Sequence, residues 1–221
     1  MTLLWQPTQA RVADTLLTRF THAAERTYDL NLPDYAALHR WSIDRRDQFW
    51  TLLWDFCGVI GERGATVIER DGQMPGARFF PDSQLNFAEN LLRRRDDGEA
   101  IVFRDEMGGL RRMRWAELHA AVHRVATGLR ASGVQAGDRV GAIVPNIPEA
   151  VVCMLAAASL GATWSSCSPD FGAQGILDRF DQIAPTLLFA VDGYFYNGKL
   201  NDIRDKVADI RAALPSVREL V

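Results

Sequence analysis

Two polar segments carry residue types that suit the binding of a phosphorylated ligand. The segments are Ser165–Gly172, SSCSPDFG, and Asp192–Lys199, DGYFYNGK. Lys199 is one of only two lysines in the chain, and a lysine on a tight loop can hold a phosphate group as a point charge. Tyr196 offers a hydroxyl group or an aromatic face. The alternative interpretation of each segment is an ordinary connection between a strand and a helix.

Several familiar catalytic patterns are absent from the sequence. It contains no G-x-x-x-x-G-K-[ST], G-x-G-x-x-G, G-x-S-x-G or H-E-x-x-H pattern. His119 and His123 stand four residues apart, a spacing that could place two imidazoles on one metal ion, but no third ligand accompanies them at a suitable spacing. We therefore expect two histidines beside a core stripe and assign no metal ligand and no catalytic residue to this chain.

Two other groups of candidate residues are better explained by structure than by chemistry. The first is a charged set on a predicted helix, which is typical of a solvated face with local ion pairs. Its members are Asp178, Arg179 and Asp181. The second is a set of aromatic residues that could form a stacking platform but that more often pack in a core at helical spacing. Its members are Trp50, Trp54 and Phe56.

Composition and charge exclude several classes of partner. With 25 basic and 28 acidic residues the net charge is −3, so we expect neither a nucleic acid nor a membrane as a partner. Three cysteines without a C-x-x-C spacing indicate thiols in a reducing compartment, and we expect the cytoplasm. Met1–Ala10 lacks the basic and apolar regions of a signal peptide. The uncharged stretch Ala150–Pro169 is interrupted by Gly161 and predicts a buried helix and strand rather than a membrane span.

The first part of the chain predicts helices followed by an irregular segment. Apolar residues at helical spacing over residues 8–28 and Arg40–Gly58 indicate amphipathic helices, whereas Glu62–Asn90 mixes glycine, proline and aromatic residues without a sustained period. The charge run RRRDDGE at Arg93–Glu99 indicates a boundary. The expected domains are a helical N-terminal extension over residues 1–95 and a second domain over residues 96–221.

From Ala100 onward the sequence alternates strand and helix patterns. The first two predicted strands, Ala100–Asp105 and Leu110–Arg114, are separated by a glycine-bearing turn and read as a hairpin. The later predicted strands are 138–144, 162–167, 186–191 and 217–221, and the predicted helices are 118–133, 148–160, 172–183 and 202–214. This succession predicts an α/β fold with a mostly parallel sheet and helices on both faces. Ligands of such sheets bind beyond the carboxyl ends of the strands, where both polar segments lie.

The last five residues, VRELV, read as a strand that has only begun. An open sheet edge can pair with a strand of another chain. The sequence therefore also suggests self-association through this edge. One interpretation is a genuine C-terminal edge strand. The interpretation that we favour is a fragment of a longer protein.

Three stretches of the sequence resemble the acetoacetyl-CoA synthetases of the adenylate-forming superfamily. They are ARFFPDSQLNFAENLL at Ala77–Leu92, VPNIPEAVVCMLAAASLGATWSSCSPDFG at Val144–Gly172 and ILDRFDQIAPTLLFAVDGYFYNGK at Ile176–Lys199. The middle stretch is typical of the whole superfamily, whereas the SPDFG and YNGK loops resemble the acetoacetyl branch. The tryptophan-rich and FAENLL segments resemble the extension that short-chain acyl-CoA synthetases carry before their AMP-binding domain.

The resemblance implies an ATP-dependent acetoacetate–CoA ligase with Mg-ATP, CoA and acetoacetate as its small-molecule partners. It places the 3′-phosphate region of CoA at Tyr196, Asn197, Gly198 and Lys199. It places the pantetheine channel of CoA along Ser168, Pro169, Asp170 and Phe171. The family's phosphate loop, acyl pocket and catalytic lysine correspond to no part of this sequence, so the resemblance implies an N-terminal fragment that is inactive alone.

Two further hypotheses remain open from the sequence. One is a stand-alone truncated product that acts as a binding or assembly module through its sheet edge. The other is a different short-chain acyl-CoA synthetase of the same superfamily, because the sequence contains no acyl pocket from which to infer the substrate.

Overall fold

The computed structural model describes residues 4–221 and divides the chain into two compact units. One unit ends at Leu85 and the other spans Asn86–Val221. The division therefore comes before the charge run at Arg93–Glu99 that we expected to mark the boundary. Of the segment Met1–Ala10, which we examined for a signal peptide, the first three residues lie outside the described part.

Over residues 4–85 the first unit contains four helices and a short two-stranded sheet. Its elements are α1 (Gln9–Ala13), α2 (Leu16–Tyr28), α3 (Tyr35–Asp44), α4 (Arg46–Phe56), β1 (Ile68–Glu69) and β2 (Arg78–Phe79). The segment 8–28 forms two helices rather than one, because the Thr15 hydroxyl accepts a hydrogen bond from the Thr18 amide and caps α2. β1 and β2 pair antiparallel, so the period-free segment 62–90 contains a small sheet that the sequence did not predict.

Aromatic side chains contribute much of the core of the first unit, together with leucine and alanine side chains. Phe20 is buried, and its ring meets those of Phe56 and Phe49 edge-on, with centroids 5.2 Å and 5.6 Å away. Trp50 lies against Phe79 with a centroid distance of 5.2 Å. Trp54 packs in the same way, against Phe80. Packing thus accounts for the aromatic spacing, and the described contacts give no support to a stacking platform.

The second unit is an α/β structure in which strands and helices alternate as predicted. Its elements are α5 (Phe87–Leu91), β3 (Glu99–Arg104), β4 (Leu110–Arg114), α6 (Trp115–Ala131), β5 (Arg139–Ile143), α7 (Pro148–Ser159), β6 (Thr163–Cys167), α8 (Ala173–Phe180), β7 (Leu187–Ala190), β8 (Gly193–Tyr196), β9 (Lys199–Asp202), α9 (Arg204–Ala213) and β10 (Glu219–Leu220). The stretch Ala150–Pro169 lies within α7, β6 and the loop after it, as expected. No helix among residues 4–221 is both long enough and apolar enough to cross a membrane.

Four strands form one parallel sheet in the order β10-β7-β5-β6. The terminal VRELV segment contributes β10, which pairs with β7 through Glu219 and Leu220. β3 and β4 form the expected antiparallel hairpin, which stays outside the parallel sheet. The alternative interpretation of the segment between β7 and α9 as an ordinary connection was wrong, because β8 and β9 form a second hairpin there.

Alternate residues of the central strands face opposite sides of the sheet. Val140 of β5 and Leu187 of β7 pack in the cluster that contains α6 and α7. Ile143 and Leu188 pack in the cluster that contains α8 and α9. Helices therefore cover both faces, which confirms the predicted fold class.

The order of the strands creates a topological switch point between β5 and β7. The helix after β5 is α7, and the helix after β7 is α9, and these helices lie on opposite faces of the sheet. In open α/β sheets a crevice opens beyond the carboxyl ends of two such strands and commonly binds a ligand. The two candidate loops follow β6 and β7 at this same edge of the sheet.

Candidate functional site

Both predicted loops lie at the carboxyl edge of the parallel sheet. The segment Ser168–Phe171 follows β6, and the β8–β9 hairpin follows β7. β5 lies between these two strands, so the loops start about 10 Å apart, which is two strand spacings. The structure thus brings the two sets of candidate residues to one edge but gives no direct hydrogen bond between them.

The residues of the loop after β6 differ in their exposure. Pro169 is fully buried, whereas Ser168, Asp170 and Phe171 are exposed. The Phe171 amide donates a hydrogen bond to the Ser168 carbonyl oxygen at 3.3 Å and closes a tight turn. Pro169 therefore anchors the loop, and the other three residues are exposed to solvent.

Lys206, in α9, donates hydrogen bonds to the backbone of this loop. The Lys206 ammonium donates hydrogen bonds to the carbonyl oxygens of Pro169, at 2.5 Å, and of Phe171, at 3.1 Å. Lys206 stands out in the sequence only through the rarity of lysine, and nothing in its neighbourhood indicates this contact. A helix that follows the hairpin thereby fixes the loop that follows β6.

A cation–π contact ties the same loop to α8. The guanidinium carbon of Arg179 lies 4.6 Å from the centroid of the Phe171 ring. Arg179 also donates a hydrogen bond to the Gly175 carbonyl oxygen at 2.7 Å. In the described part of the chain, Asp178 and Arg179 thus form local hydrogen bonds but not the expected ion pairs, and Arg179 additionally covers one face of Phe171.

The second loop is the tip of a hairpin with a two-residue turn. Tyr196 and Lys199 are paired across it, and Asn197 and Gly198 have φ angles of 51° and 73°. Two successive positive φ angles are the signature of a type I′ turn, for which Asn-Gly is a preferred sequence. Tyr196 is 68% exposed, and within residues 4–221 the Lys199 ammonium has no hydrogen-bond or ion-pair partner. The tip therefore presents a hydroxyl group, an aromatic face and an unpaired cation to solvent.

A carboxylate from a distant segment binds the backbone of this tip. Glu106, in the turn between β3 and β4, accepts hydrogen bonds from the amide of Asn197 at 3.1 Å and from the amide of Gly198 at 2.9 Å. Sequence analysis missed Glu106, because its partners lie about ninety residues further along the chain and no local pattern links them. The two hairpins are thus joined at their tips.

A cavity of about 660 Å³ opens between the two hairpins at the switch point. Residues that follow β5 line one part of it, and residues of the hairpins line the rest. Among the lining residues are Phe103, Glu106, Asn146, Ile147, Tyr194 and Phe195. Its lining combines apolar side chains with the charged Arg104, Asp105 and Glu106 and with Asn146, and it includes none of the candidate residues at 168–171 and 196–199.

An ion pair ties the β3–β4 hairpin to α7. The Arg111 guanidinium donates to both carboxylate oxygens of Glu149, in the first turn of α7. This hydrogen bonding holds the pKa of Glu149 below its usual range, although partial burial opposes the shift. Glu149 also lies at the helix end that favours negative charge. The β3–β4 hairpin is therefore fastened to α7 by Arg111 and to the other hairpin by Glu106.

A second ion pair lies at the base of the β8–β9 hairpin. Arg204 binds the Asp202 carboxylate, and its side-chain hydrogen bonds, followed by that of its backbone amide, lower the pKa of Asp202 to about 2. The Asp202 carboxylate thus has Arg204 as its partner. Lys199 lies at the opposite end of β9.

The two histidines of α6 do not share a site. The His119 Nε2 atom lies 3.0 Å from the carbonyl oxygen of Arg94 and also contacts that of Leu92, whereas His123 is exposed. In the part of the chain that the structure describes, no three residues of the types His, Cys, Asp or Glu are grouped so that they could hold a metal ion.

Two family models match the chain. The model described as AMP-binding enzyme matches residues 87–220, which covers more than half of the sequence. The model described as acetyl-coenzyme A synthetase N-terminus matches residues 35–91.

Individual proteins match nearly the whole chain. The chain is 48% identical over 96% of its length to an acetoacetyl-coenzyme A synthetase of Rhizobium meliloti, of which it covers 32%. It is 37% identical over 99% of its length to a malonamoyl-CoA synthetase of Penicillium aethiopicum, of which it covers 31%. The solved structure of acetoacetyl-CoA synthetase from Streptomyces lividans superposes on the entire chain with a TM-score of 0.92 and 44% identity, and 35% of that structure is covered. The chain thus spans about a third of the length of the relatives it matches.

Proposed function

The chain belongs to the AMP-binding enzyme family, and from this premise we propose that it forms the N-terminal part of an ATP-dependent acetoacetate–CoA ligase. The observation that carries the proposal is the 48% identity to an acetoacetyl-coenzyme A synthetase over almost the whole chain. Agreement of the backbone with a second protein of that name, at a TM-score of 0.92, supports the same activity.

The reaction consists of two displacements. In the first, the carboxylate oxygen of acetoacetate attacks the α-phosphorus of ATP, and pyrophosphate leaves with the electron pair of the broken P–O bond. In the second, the thiolate of CoA attacks the carbonyl carbon of the acyl adenylate, and AMP leaves. The mixed anhydride makes the second step feasible because AMP is a far better leaving group than oxide. Mg²⁺ belongs to the proposal as the counter-ion of ATP, and we assign it no ligand in this chain.

Within this reaction, the residues of this chain bind CoA. The ammonium of Lys199, which has no partner among residues 4–221, is suited to the 3′-phosphate group, since a phosphate accepts strong hydrogen bonds from a cation. The exposed Tyr196 ring offers a face to the adenine, and Asn197 and Gly198 set the turn that presents both side chains. Ser168, Pro169, Asp170 and Phe171 form the edge along which we propose that the pantetheine arm runs, with Pro169 as its buried anchor.

The acyl substrate needs a direct test, because one relative of similar identity is named for a malonamoyl group. A complete synthetase that carries this chain should release pyrophosphate faster with acetoacetate than with acetate, propionate or malonamate. The acids are compared at equal concentrations well below KM, where the rate is proportional to kcat/KM. A higher kcat/KM for any of the other acids would contradict the proposed substrate. The isolated 221-residue chain should release none above the blank, since its sequence contains no glycine-rich phosphate loop.

A second candidate function is assembly through the edges of the parallel sheet. Within the described residues, β6 pairs only with β5 and β10 only with β7, so each has one unpaired side that could accept another strand. Sedimentation velocity at micromolar concentration tests this alternative. A concentration-dependent dimer would support it, and a strictly monomeric species would exclude it.

A further inference from the structure

We propose that Glu106 is a positioning residue for CoA, which holds the Asn197–Gly198 turn so that Lys199 meets the 3′-phosphate group. The proposal rests on the proposed function of the hairpin tip. Glu106 would not touch CoA itself and would act through the backbone of the turn.

The geometry of the contact matches the turn. Successive backbone amides of a turn can point to the same side and form an anion-binding concavity. The two oxygens of Glu106 fill it, one on the Asn197 amide at 3.1 Å and one on the Gly198 amide at 2.9 Å. Glycine has the widest choice of backbone conformations, and asparagine also tolerates the left-handed region, so neither residue by itself fixes the turn. The two hydrogen bonds therefore fix the part of the hairpin that would otherwise be the least restrained.

Glu106 is itself presented by a well-anchored segment. In the β3–β4 turn the Asp105 carboxylate accepts a hydrogen bond from the Gly109 amide at 2.7 Å, and the Asp105 amide donates to the Gly109 carbonyl oxygen at 3.0 Å. The ion pair between Arg111 and Glu149 then fastens β4 to α7. A continuous series of contacts thus runs from α7, through the β3–β4 hairpin and Glu106, to the residue that precedes Lys199.

The charge of Glu106 allows a test in which loss of charge and loss of positioning predict opposite changes in the affinity for CoA. A carboxylate close to Lys199 repels an incoming phosphate, so removal of the charge alone should strengthen CoA binding. Loss of a positioning contact should weaken it. Glutamine at position 106 removes the charge and keeps the size, but its amide group faces an amide donor of the turn and cannot replace the second hydrogen bond.

The experiment compares the ¹⁵N-labelled wild-type chain with Glu106→Gln and with Asp192→Asn as the matched control. Asp192 precedes the same hairpin, and its carboxylate forms no side-chain hydrogen bond among residues 4–221, so the control removes an equal charge without touching the turn. Amide hydrogen exchange reports the turn directly. NMR titrations with CoA and with CoA that lacks its 3′-phosphate report the phosphate contact.

We expect exchange at Asn197 and Gly198 to be about 10-fold faster in Glu106→Gln and unchanged in Asp192→Asn. The preference for CoA over its 3′-dephosphorylated form should fall by about 3-fold to 10-fold in Glu106→Gln alone, as expected for a charge-assisted contact that is weakened but not abolished. Unchanged exchange, or a preference for CoA that stays equal or rises in Glu106→Gln, would overturn the proposal.

The outcome also separates this inference from the proposed function. If the wild-type chain does not distinguish CoA from its dephosphorylated form, the phosphate contact of the proposed function fails. If exchange at the turn is nevertheless accelerated in Glu106→Gln, Glu106 holds the turn but for another purpose, and the CoA part of the inference is overturned with the function on which it rests.

Discussion

The Lys206 ammonium lies 2.5 Å from the carbonyl oxygen of Pro169 and joins two parts of the sheet edge that are distant in sequence. Pro169 is fully buried, so its carbonyl group depends on a donor within the protein. The contact makes α9 a support for the loop at Ser168–Phe171.

Replacement of Lys206 by methionine should therefore destabilise the chain. Lys206→Met keeps the aliphatic stem but removes both hydrogen bonds, and the expected loss in the free energy of unfolding is about 1–3 kcal/mol. Urea denaturation measures it. Lys206→Arg, which retains a cationic donor, is the control and should lose less. Equal stability of Lys206→Met and the wild type would mean that the contact contributes nothing.

Lys199→Ala should weaken the use of CoA selectively. In a complete synthetase that carries this chain, KM for CoA should rise by an amount that corresponds to about 1–3 kcal/mol, because one charge-assisted phosphate contact is lost. KM for ATP and for acetoacetate should change little, and Lys199→Arg should retain most of the CoA affinity. A uniform effect on all three substrates would instead indicate that the hairpin tip has collapsed.

The ion pair between Arg111 and Glu149 should make stability depend on acid pH. The hydrogen bonds from Arg111 hold the pKa of Glu149 below its ordinary value of 4.5. The stabilisation is therefore complete above pH 4.5 and is lost as the pH falls through the lower pKa of the folded state. Because both side chains are about half exposed, the effect should stay below about 1 kcal/mol.

The measurement for this pair is the free energy of unfolding of the wild type and of Glu149→Gln between pH 7 and pH 3. The wild type should be the more stable at pH 7, and the difference should shrink below pH 4.5. A difference that does not change with pH would show that the ion pair is not its source.

Thiol reactivity should differ between Cys153 and Cys57. Burial, and to a lesser extent the negative charge of Glu149, raises the pKa of the Cys153 thiol to about 11, whereas Cys57 is exposed. At pH 8 only about one Cys153 in a thousand carries the reactive thiolate. Iodoacetamide at pH 8 should alkylate Cys57 well before Cys153, as peptide mass mapping can follow. Faster labelling of Cys153 would mean that α7 opens readily.

The parallel sheet could be predicted because its signals are local. Pro148 and Gly161 mark the two ends of a helical pattern between two predicted strands, and α7 spans Pro148–Ser159 in the structure. The β8–β9 hairpin was missed although its signal is also local, since Asn197-Gly198 between residues of high strand propensity is typical of a hairpin turn. The hairpin was not predicted because the segment can also be interpreted as a strand-to-helix connection.

The contacts that organise the candidate site could not be predicted in the same way. Glu106 meets the tip at Asn197, and Lys206 meets the loop at Pro169, only after the sheet has brought their elements together. Both contacts join a side chain to backbone groups, which every residue has, so no pairing of residue types reveals them. The assignment of CoA to the two loops stays a prediction from family resemblance.

Leu187 and Leu188 are neighbours in the chain, yet they belong to separate hydrophobic clusters on opposite faces of the sheet. Substitutions in the two clusters share few partners, and the effects of well-separated substitutions usually add. A change in packing beside α6 and α7 therefore needs no compensating change beside α8 and α9. Over evolutionary time the two faces of this protein are free to diverge at different rates while the strands between them keep one register.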